Sequence, residues 1–238
     1  MKRLIKKIFP QSVYAVLGSI KDRYRSHYSM RTYSQEGEDA VLRKIFENKE
    51  SGFYVDVGSH HPWRFSNTQI FYEQGWRGIN IDAMPGSMKP FQRHRTQDIN
   101  LEIAISDVNE KLTYYVFNEP ALNGFSDSLS QLRNNLDSFR IIATKEIATQ
   151  TLKDIFDQYL PAHQIIDFLS VDVEGFDFRV LNSNDWVKYR PLVILVEVLD
   201  MQFKKLYEDK IVQFLTQKGY EVFGKTGYTV IFKEQSFQ

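Results

Sequence analysis

The chain has 238 residues, 42% of them hydrophobic, enough to fill the core of one α/β domain of ordinary size, so disorder is not the default reading. Its 30 basic and 30 acidic side chains cancel, which gives no overall electrostatic case for nucleic acid. There is no cysteine, which excludes a disulfide framework, thiolate metal sites and a Cys nucleophile.

No apolar run approaches the roughly 20 residues that cross a bilayer. The opening segment carries Lys2, Arg3, Lys6, Lys7, Lys21, Arg23, Arg25 and Arg31 against a single acid, Asp22. Leu4, Ile5, Ile8 and Phe9 sit among the first bases at roughly helical spacing. Pro10 and Gln11 interrupt the apolar stretch, so a cytoplasmic protein is favoured over a secreted one. Residues 1–32 therefore read as a basic arm with three open roles: a peripheral membrane contact, a solvated arm, or a helix packed on the domain or a second subunit.

From residue 33 onward, strand-like and helix-like segments alternate, as a mostly parallel sheet requires. Residues 52–58 form an apolar run ending at a glycine; residues 66–75 read as a helix capped by Ser66 and stopped by Gly75. A second strand, residues 78–82, breaks at Pro85-Gly86; residues 87–95 look helical and 100–105 supply a third strand. Residues 112–117 read as a strand, and 119–140 as polar loop with a helical turn. Thr151 caps a helix over 151–160, ended by Pro161. The most apolar strands are 165–173 and 192–198; a helix over 203–218 and a hairpin of 220–224 with 228–232 close the chain.

In doubly wound folds the ligand sits beyond the carboxyl ends of the strands, where strand order reverses. The first such loop is Asp56-Val-Gly58-Ser59-His60-His61-Pro62. Gly58 lets backbone approach a ligand closely, but no GxGxxG cradle for a pyrophosphate is present, which counts against a dinucleotide. Asp56 suits a ligand bearing an ammonium and a sulfonium, or caps the next turn. Asp82 ends the second strand about 20 to 26 residues beyond the loop, where an acid holds ribose hydroxyls or starts an ordinary turn.

Asp172 and Glu174 lie two apart at the end of a strand and so share a face, and Glu197 ends a neighbouring strand. Three acids together are costly unless a substrate hydroxyl, a cationic cofactor or a divalent metal engages them. They are candidate metal ligands, and Asp172 and Glu174 candidate catalytic residues. His60 and His61, with an ordinary imidazole pKa of about 6.5, are further candidates for a catalytic or metal-binding role, His60 as a third candidate base. Trp63, Tyr72 and Trp76 are candidates for sugar stacking or for core packing.

Together these segments resemble the FkbM family of methyltransferases. The resemblance runs through Tyr33-Ser-Gln-Glu-Gly-Glu-Asp39, Phe53-Tyr-Val-Asp-Val-Gly-Ser-His-His-Pro62, Ser66-Asn-Thr68 and Gly75-Trp-Arg-Gly-Ile-Asn-Ile-Asp82. It continues through Arg95-Thr-Gln-Asp-Ile-Asn-Leu101, Asp167-Phe-Leu-Ser-Val-Asp-Val-Glu-Gly175 and Arg190-Pro191 to Glu197, covering about residues 33–200. It implies a Rossmann-like class I methyltransferase fold, with a seven-stranded mostly parallel sheet and a C-terminal antiparallel hairpin, in a domain of residues 33–238. It also implies S-adenosylmethionine as cofactor and a hydroxyl of a sugar, glycan or natural product as acceptor. By position, Asp56, Gly58 and Ser59 fall in the first cofactor motif, Asp82 and Ala83 at the ribose, Gln35 and Asn67 near the methionine end, and Asp172 and Glu174 facing the methyl group. The family's usual Ala-Asn after the loop glycine and Glu-Pro after the second strand are here Ser59-His60 and Asp82-Ala83. A nicotinamide oxidoreductase and a non-catalytic cofactor-binding scaffold remain the alternatives.

Overall fold

The computed structural model describes residues 30–134, 136–198 and 202–237. The chain divides after Thr32 into two compact units, Met1–Thr32 and Tyr33–Gln238. Every element below belongs to the second; the readings of the basic arm fall almost wholly outside the described residues. Among the described residues, no helix is long and apolar enough to cross a membrane.

A short helix α1 (Glu38–Ile45) precedes β1 (Phe53–Val57). Then come α2 (Gln69–Glu73), β2 (Arg77–Asp82), α3 (Met88–His94), β3 (Ile99–Glu102), β4 (Ala104–Ile105) and β5 (Lys111–Phe117). Helix α4 (Asp127–Arg133), β6 (Ile141–Gln150), α5 (Leu152–Tyr159) and β7 (Phe168–Val171) follow. The chain closes with α6 (Asp177–Asn182), β8 (Val193–Glu197), α7 (Lys210–Gln217), β9 (Tyr220–Lys225) and β10 (Thr229–Glu234).

Seven strands form one sheet in the order β3-β2-β1-β7-β8-β10-β9. The first five are parallel, and β10 runs antiparallel to both β8 and β9. The mixed α/β sheet with its terminal hairpin is the architecture the alternating pattern implies. Side-chain alternation divides the sheet between two cores. Val55, Val57, Ile79, Ile81, Leu169 and Ile194 pack on one face with residues of α5, α6 and α7. Tyr54, Phe168, Val193 and Leu195 pack on the other with α1, α2 and Trp76. Strands covered on both faces read as continuous apolar runs, which is why β1, β7 and β8 stand out in the sequence.

Four departures from the sequence reading bear on the shape of the fold and its site. The strand over 100–105 is two: Ile103 donates its amide to the Asp82 carbonyl at 3.1 Å, after which β4 joins a second, three-stranded sheet, β4-β6-β5. β6, ten residues long, is absent from that reading because most of its side chains are exposed and show no apolar alternation. The helix over 203–218 is a 3₁₀ segment, Phe203–Glu208, and a separate α7. Asp209 divides them, its side chain accepting from the amides of Ile211 and Val212 at 2.7 and 3.3 Å. The fourth, the end of β7, shapes the site and is described there.

Because Asp209 is the sole side-chain cap on the N-terminus of α7, Asp209→Ala should cost about 1 kcal/mol of stability, read as a lower urea midpoint at unchanged slope.

Candidate functional site

Strand order reverses between β1 and β7, and a cavity of about 600 Å³ opens beyond their carboxyl ends. Its floor comes from Val57-Gly58, Ile81–Ala83 and Asp172–Glu174; the segment between β5 and β6 supplies most of the opposite wall. Gly58 is where the two strand ends meet. Its φ is +85°, and a Cβ there would lie 1.7 Å from the Asp172 carbonyl oxygen. Only glycine satisfies both the backbone angle and the space. The amides of Gly58 and Ser59 donate to the Ile81 carbonyl at 2.9 and 3.0 Å, fixing the loop onto β2.

Asp82 combines the two roles open to it. Its Oδ2 accepts from the His60 amide at 3.0 Å and its Oδ1 from the Met84 amide at 2.8 Å, so it organises both loops. Each carboxylate oxygen has a further lone pair, and Asp82 lines the cavity. Burial pushes its pKa up, opposed by those two amides.

Among the other residues singled out, Gln35, Gly58, His60, Ala83, Asp172, Glu174 and Glu197 line the cavity with Asp82. Buried Asp56 and Ser59 and half-buried Asn67 lie outside the lining, in the polar layer next to it. Thr68 Oγ1 donates to Asp56 Oδ2 at 3.2 Å, and Asn67 Nδ2 donates to Ser170 Oγ at 3.1 Å. Burial pushes Asp56 up to about 6, while Arg95 pulls the other way. Gln35 is held by its neighbours: Glu36 accepts from the Tyr228 amide at 2.9 Å, and Glu38 from the Thr229 and Thr226 hydroxyls at 3.2 and 3.3 Å.

β7 ends at Val171, so Asp172 and Glu174 do not share a strand face. Glu174 and Gly175 adopt φ of +55° and +84°, and Asp177 secures this turn by accepting from the amides of Val173 and Gly175 at 3.1 and 3.0 Å. The turn, not strand pleating, brings the acids together. Asp172, Glu174 and Glu197 each offer an oxygen, and these lie within 4.8 Å of one another.

Asp172 is open to the water of the cavity yet set deep in the protein. Burial, then the charge of Glu174, raises its pKa well above the carboxylate range. Glu197 is raised by burial and Asp172, and its Oε2 has no protein partner. Glu174 is raised by burial but opposed by Arg133, with which it forms an ion pair. One arginine therefore faces three acids, and the remaining deficit of positive charge is the main electrostatic property of the site.

His60 faces the cavity at φ +51°; burial, then Arg64, lowers its pKa, which favours the neutral imidazole. His61 does not line the cavity, and its Nδ1 accepts from the amides of Trp63 and Arg64, both at 3.3 Å. Trp76 is core, 1% exposed, and Tyr72 packs against the same cluster. Trp63 packs against His94 at 4.3 Å. None of the three lines the cavity. Its aromatic lining is instead Phe65, Tyr114, Phe125, Phe139 and Tyr228, none of which sequence reasoning singled out. Arg64 and Arg133 were also missed; Arg64 pairs with Glu119 at 3.0 Å, linking the β1 loop to the segment after β5. Arg133 sits in the polar stretch that reads as loop, where only the helix spacing of α4 marks it.

The methyltransferase FkbM domain matches residues 56–222, about two thirds of the chain. The chain belongs to the FkbM methyltransferase family. The match runs from within β1 into β9 and so includes the cavity floor and the acids, while Gln35 and Tyr228 lie outside it. No curated protein matches the chain closely enough to add a substrate. As an FkbM methyltransferase the protein is an enzyme using an S-adenosylmethionine-type cofactor, and the nicotinamide reading is set aside. The residues fit such a group. Asp82 has lone pairs for a diol, Gly58 keeps the floor free of a Cβ, and the acids lack the positive charge that a sulfonium and an ammonium carry.

The pKa of Asp56 has a measurable consequence. Its value near 6 exceeds that of an unfolded aspartate, about 3.9, so the native state holds the proton more tightly. The associated stability is present below pH 4 and is lost as pH rises through about 6. Asp56→Asn should match wild type near pH 4 and exceed it above pH 6, by up to about 3 kcal/mol, in urea unfolding across that range.

Proposed function

We propose that the protein is an S-adenosylmethionine-dependent O-methyltransferase whose acceptor is a hydroxyl of a sugar, glycan or natural product. The observation carrying this reading is the meeting, in one cavity, of a nucleoside-holding acid, Asp82, with three charge-deficient acids and a wall of aromatic and polar side chains. When bound, the cofactor supplies a methyl group made electrophilic by its sulfonium.

The chain's own residues then have four tasks. Asp82 holds ribose hydroxyls while its amide partners keep it from turning away. Gln35, placed by Glu36 and Glu38, bounds the cavity on the side of the Tyr228 hairpin. Aligning the reacting atoms accounts for much of such catalysis, roughly 7–11 kcal/mol in favourable cases. A sugar hydroxyl gains from losing its proton during attack, and Asp172, Glu174 and His60 face the cavity. Arg133 is paired with Glu174, so His60, and Asp172 once a cationic cofactor favours its ionised form, are the candidate acceptors. Phe65, Phe139 and Tyr228 offer apolar faces against which a sugar ring packs.

A second reading concerns a divalent metal. Asp172, Glu174 and Glu197 present three oxygens within coordinating reach of one point, and Glu197 Oε2 lacks a partner. A magnesium ion held there would lower the pKa of an acceptor hydroxyl. Under this reading magnesium binds to the wild-type protein and not to Glu197→Gln in calorimetric titration, and a chelator abolishes turnover. Absence of magnesium binding removes the metal and leaves the proton-acceptor route.

The deciding experiment for the cofactor is calorimetry with S-adenosylmethionine, S-adenosylhomocysteine and NADH on wild type and Asp82→Ala. The first two should bind and NADH should not, and the substitution should weaken binding about 10- to 100-fold. Asp172→Ala should lower affinity or turnover on a glycan acceptor panel; both unchanged would remove Asp172 from the mechanism.

A further inference from the structure

Arg95 follows α3 and is fully buried, with no exposed surface. A buried guanidinium is costly unless its donors are met, and here each nitrogen is. Nε donates to Gln69 Oε1 at 2.9 Å. Nη1 donates to the Tyr54 hydroxyl at 3.0 Å, to Thr68 Oγ1 at 3.3 Å and to Asp98 Oδ2 at 3.4 Å. Nη2 donates to the Pro62 carbonyl at 2.9 Å, to Ser66 Oγ at 3.2 Å and to Thr68 Oγ1 at 3.3 Å. The rings of Tyr72 and Phe91 lie 4.9 and 5.8 Å away.

The distribution of these bonds is informative. Asp98 is the only charged group among its hydrogen-bond partners, at the longest of the distances, and it is shared with Tyr54, Gly78 and Asn80; Asp56 feels the guanidinium charge without bonding to it. Pro62, Ser66 and Thr68, by contrast, all belong to the loop between β1 and α2. That loop also carries His60, Arg64 and Phe65 into the cavity. It holds two non-glycine residues in left-handed backbone, His60 at φ +51° and Phe65 at +57°. Such conformations persist only where surrounding structure over-determines them. Thr68 in turn hands a hydrogen bond to Asp56, so the same fork reaches the polar layer next to the cavity floor.

We propose that Arg95 is a positioning residue: its planar fork clamps the 59–68 loop in the shape that receives the cofactor, without touching the cofactor itself. The proposal rests on the cofactor reading above. Geometry, not charge, is the active property, so lysine is not an adequate substitute. A compact ammonium cannot reach Gln69, Pro62, Ser66 and Tyr54 at once.

The test compares Arg95→Lys with Leu215→Ala, a core truncation on α7 that lowers stability away from the loop. Two readouts are taken at a temperature where both remain folded: amide exchange over residues 59–67, and affinity for S-adenosylhomocysteine. Arg95→Lys should speed loop exchange and weaken binding by about tenfold or more, while Leu215→Ala leaves both close to wild type. Ser66→Ala, which removes one acceptor of the fork, should shift both readouts in the same direction by less, and it serves if Arg95→Lys does not fold. Parallel behaviour of the Arg95 or Ser66 variant and Leu215→Ala would overturn the proposal by reducing Arg95 to ordinary core support. Failure of the wild-type protein to bind S-adenosylhomocysteine would overturn the cofactor reading itself, a distinct result from unaltered loop exchange in a protein that binds.

Discussion

The contact on which the site depends is the one between Gly58 and the carbonyl of Asp172. A side chain at Gly58 would overlap that oxygen, so the ends of β1 and β7 converge only because the residue is glycine. Their convergence has two effects. It brings the loop leaving β1 over β2, where Asp82 takes the His60 amide, and it ends β7 at Val171, so that the next residues turn back into the cavity. The position of strand-order reversal dictates where a crevice forms, but the glycine sets how deep its floor lies.

That floor is electrostatically incomplete. Asp172, Glu174 and Glu197 stand against a single ion-paired arginine, and the nearby buried Asp56 and Asp177 are also pushed upward by burial, to about 6 and about 7. In a purely structural arrangement such a surplus of acids is a defect, since each ionisation destabilises the fold. Next to a cavity it becomes a preference for a cationic ligand. The same unfavourable term that weakens the empty protein at neutral pH strengthens its hold on positive charge.

Several elements were legible in the sequence for a physical reason. Strands covered on both faces leave unbroken apolar runs, and the turns after them carry glycine, so β1, β2, β7 and β8 and the loops at Gly58 and Asp82 could be located. Asp172, Glu174 and Glu197 do lie together, but through the left-handed turn at Glu174 and Gly175 and not through the strand periodicity that suggested it. The segment from β4 to β6 was mostly illegible. Its longest strand, Ile141–Gln150, leaves most side chains in solvent and gains its partners from β5, about 30 residues earlier in the chain, so no local pattern records it. Phe65, Phe139 and Tyr228 were missed for a related reason: an aromatic residue in a loop looks the same whether it lines a cavity or covers a core, as Trp76 does.

The division between legible and illegible parts follows the division of labour in the site. The floor is made by strand ends, with Gly58, Asp82 and Asp172 at its edges. The opposite wall is made by the segment between β5 and β6 and is joined to the loop by Arg64 and Glu119. Among the described residues, three of the five non-glycine residues with positive φ are His60, Phe65 and Glu174, and all three line the cavity. Backbone strain concentrated where two walls meet is what a site incurs when side chains must point inward from turns too tight for their residue type. Strand pairing enforces the floor over long stretches and so leaves a sequence pattern. The wall is enforced by single contacts, such as a salt bridge, a hairpin tied to Glu36 and Glu38, and a guanidinium beneath a loop, and single contacts leave none.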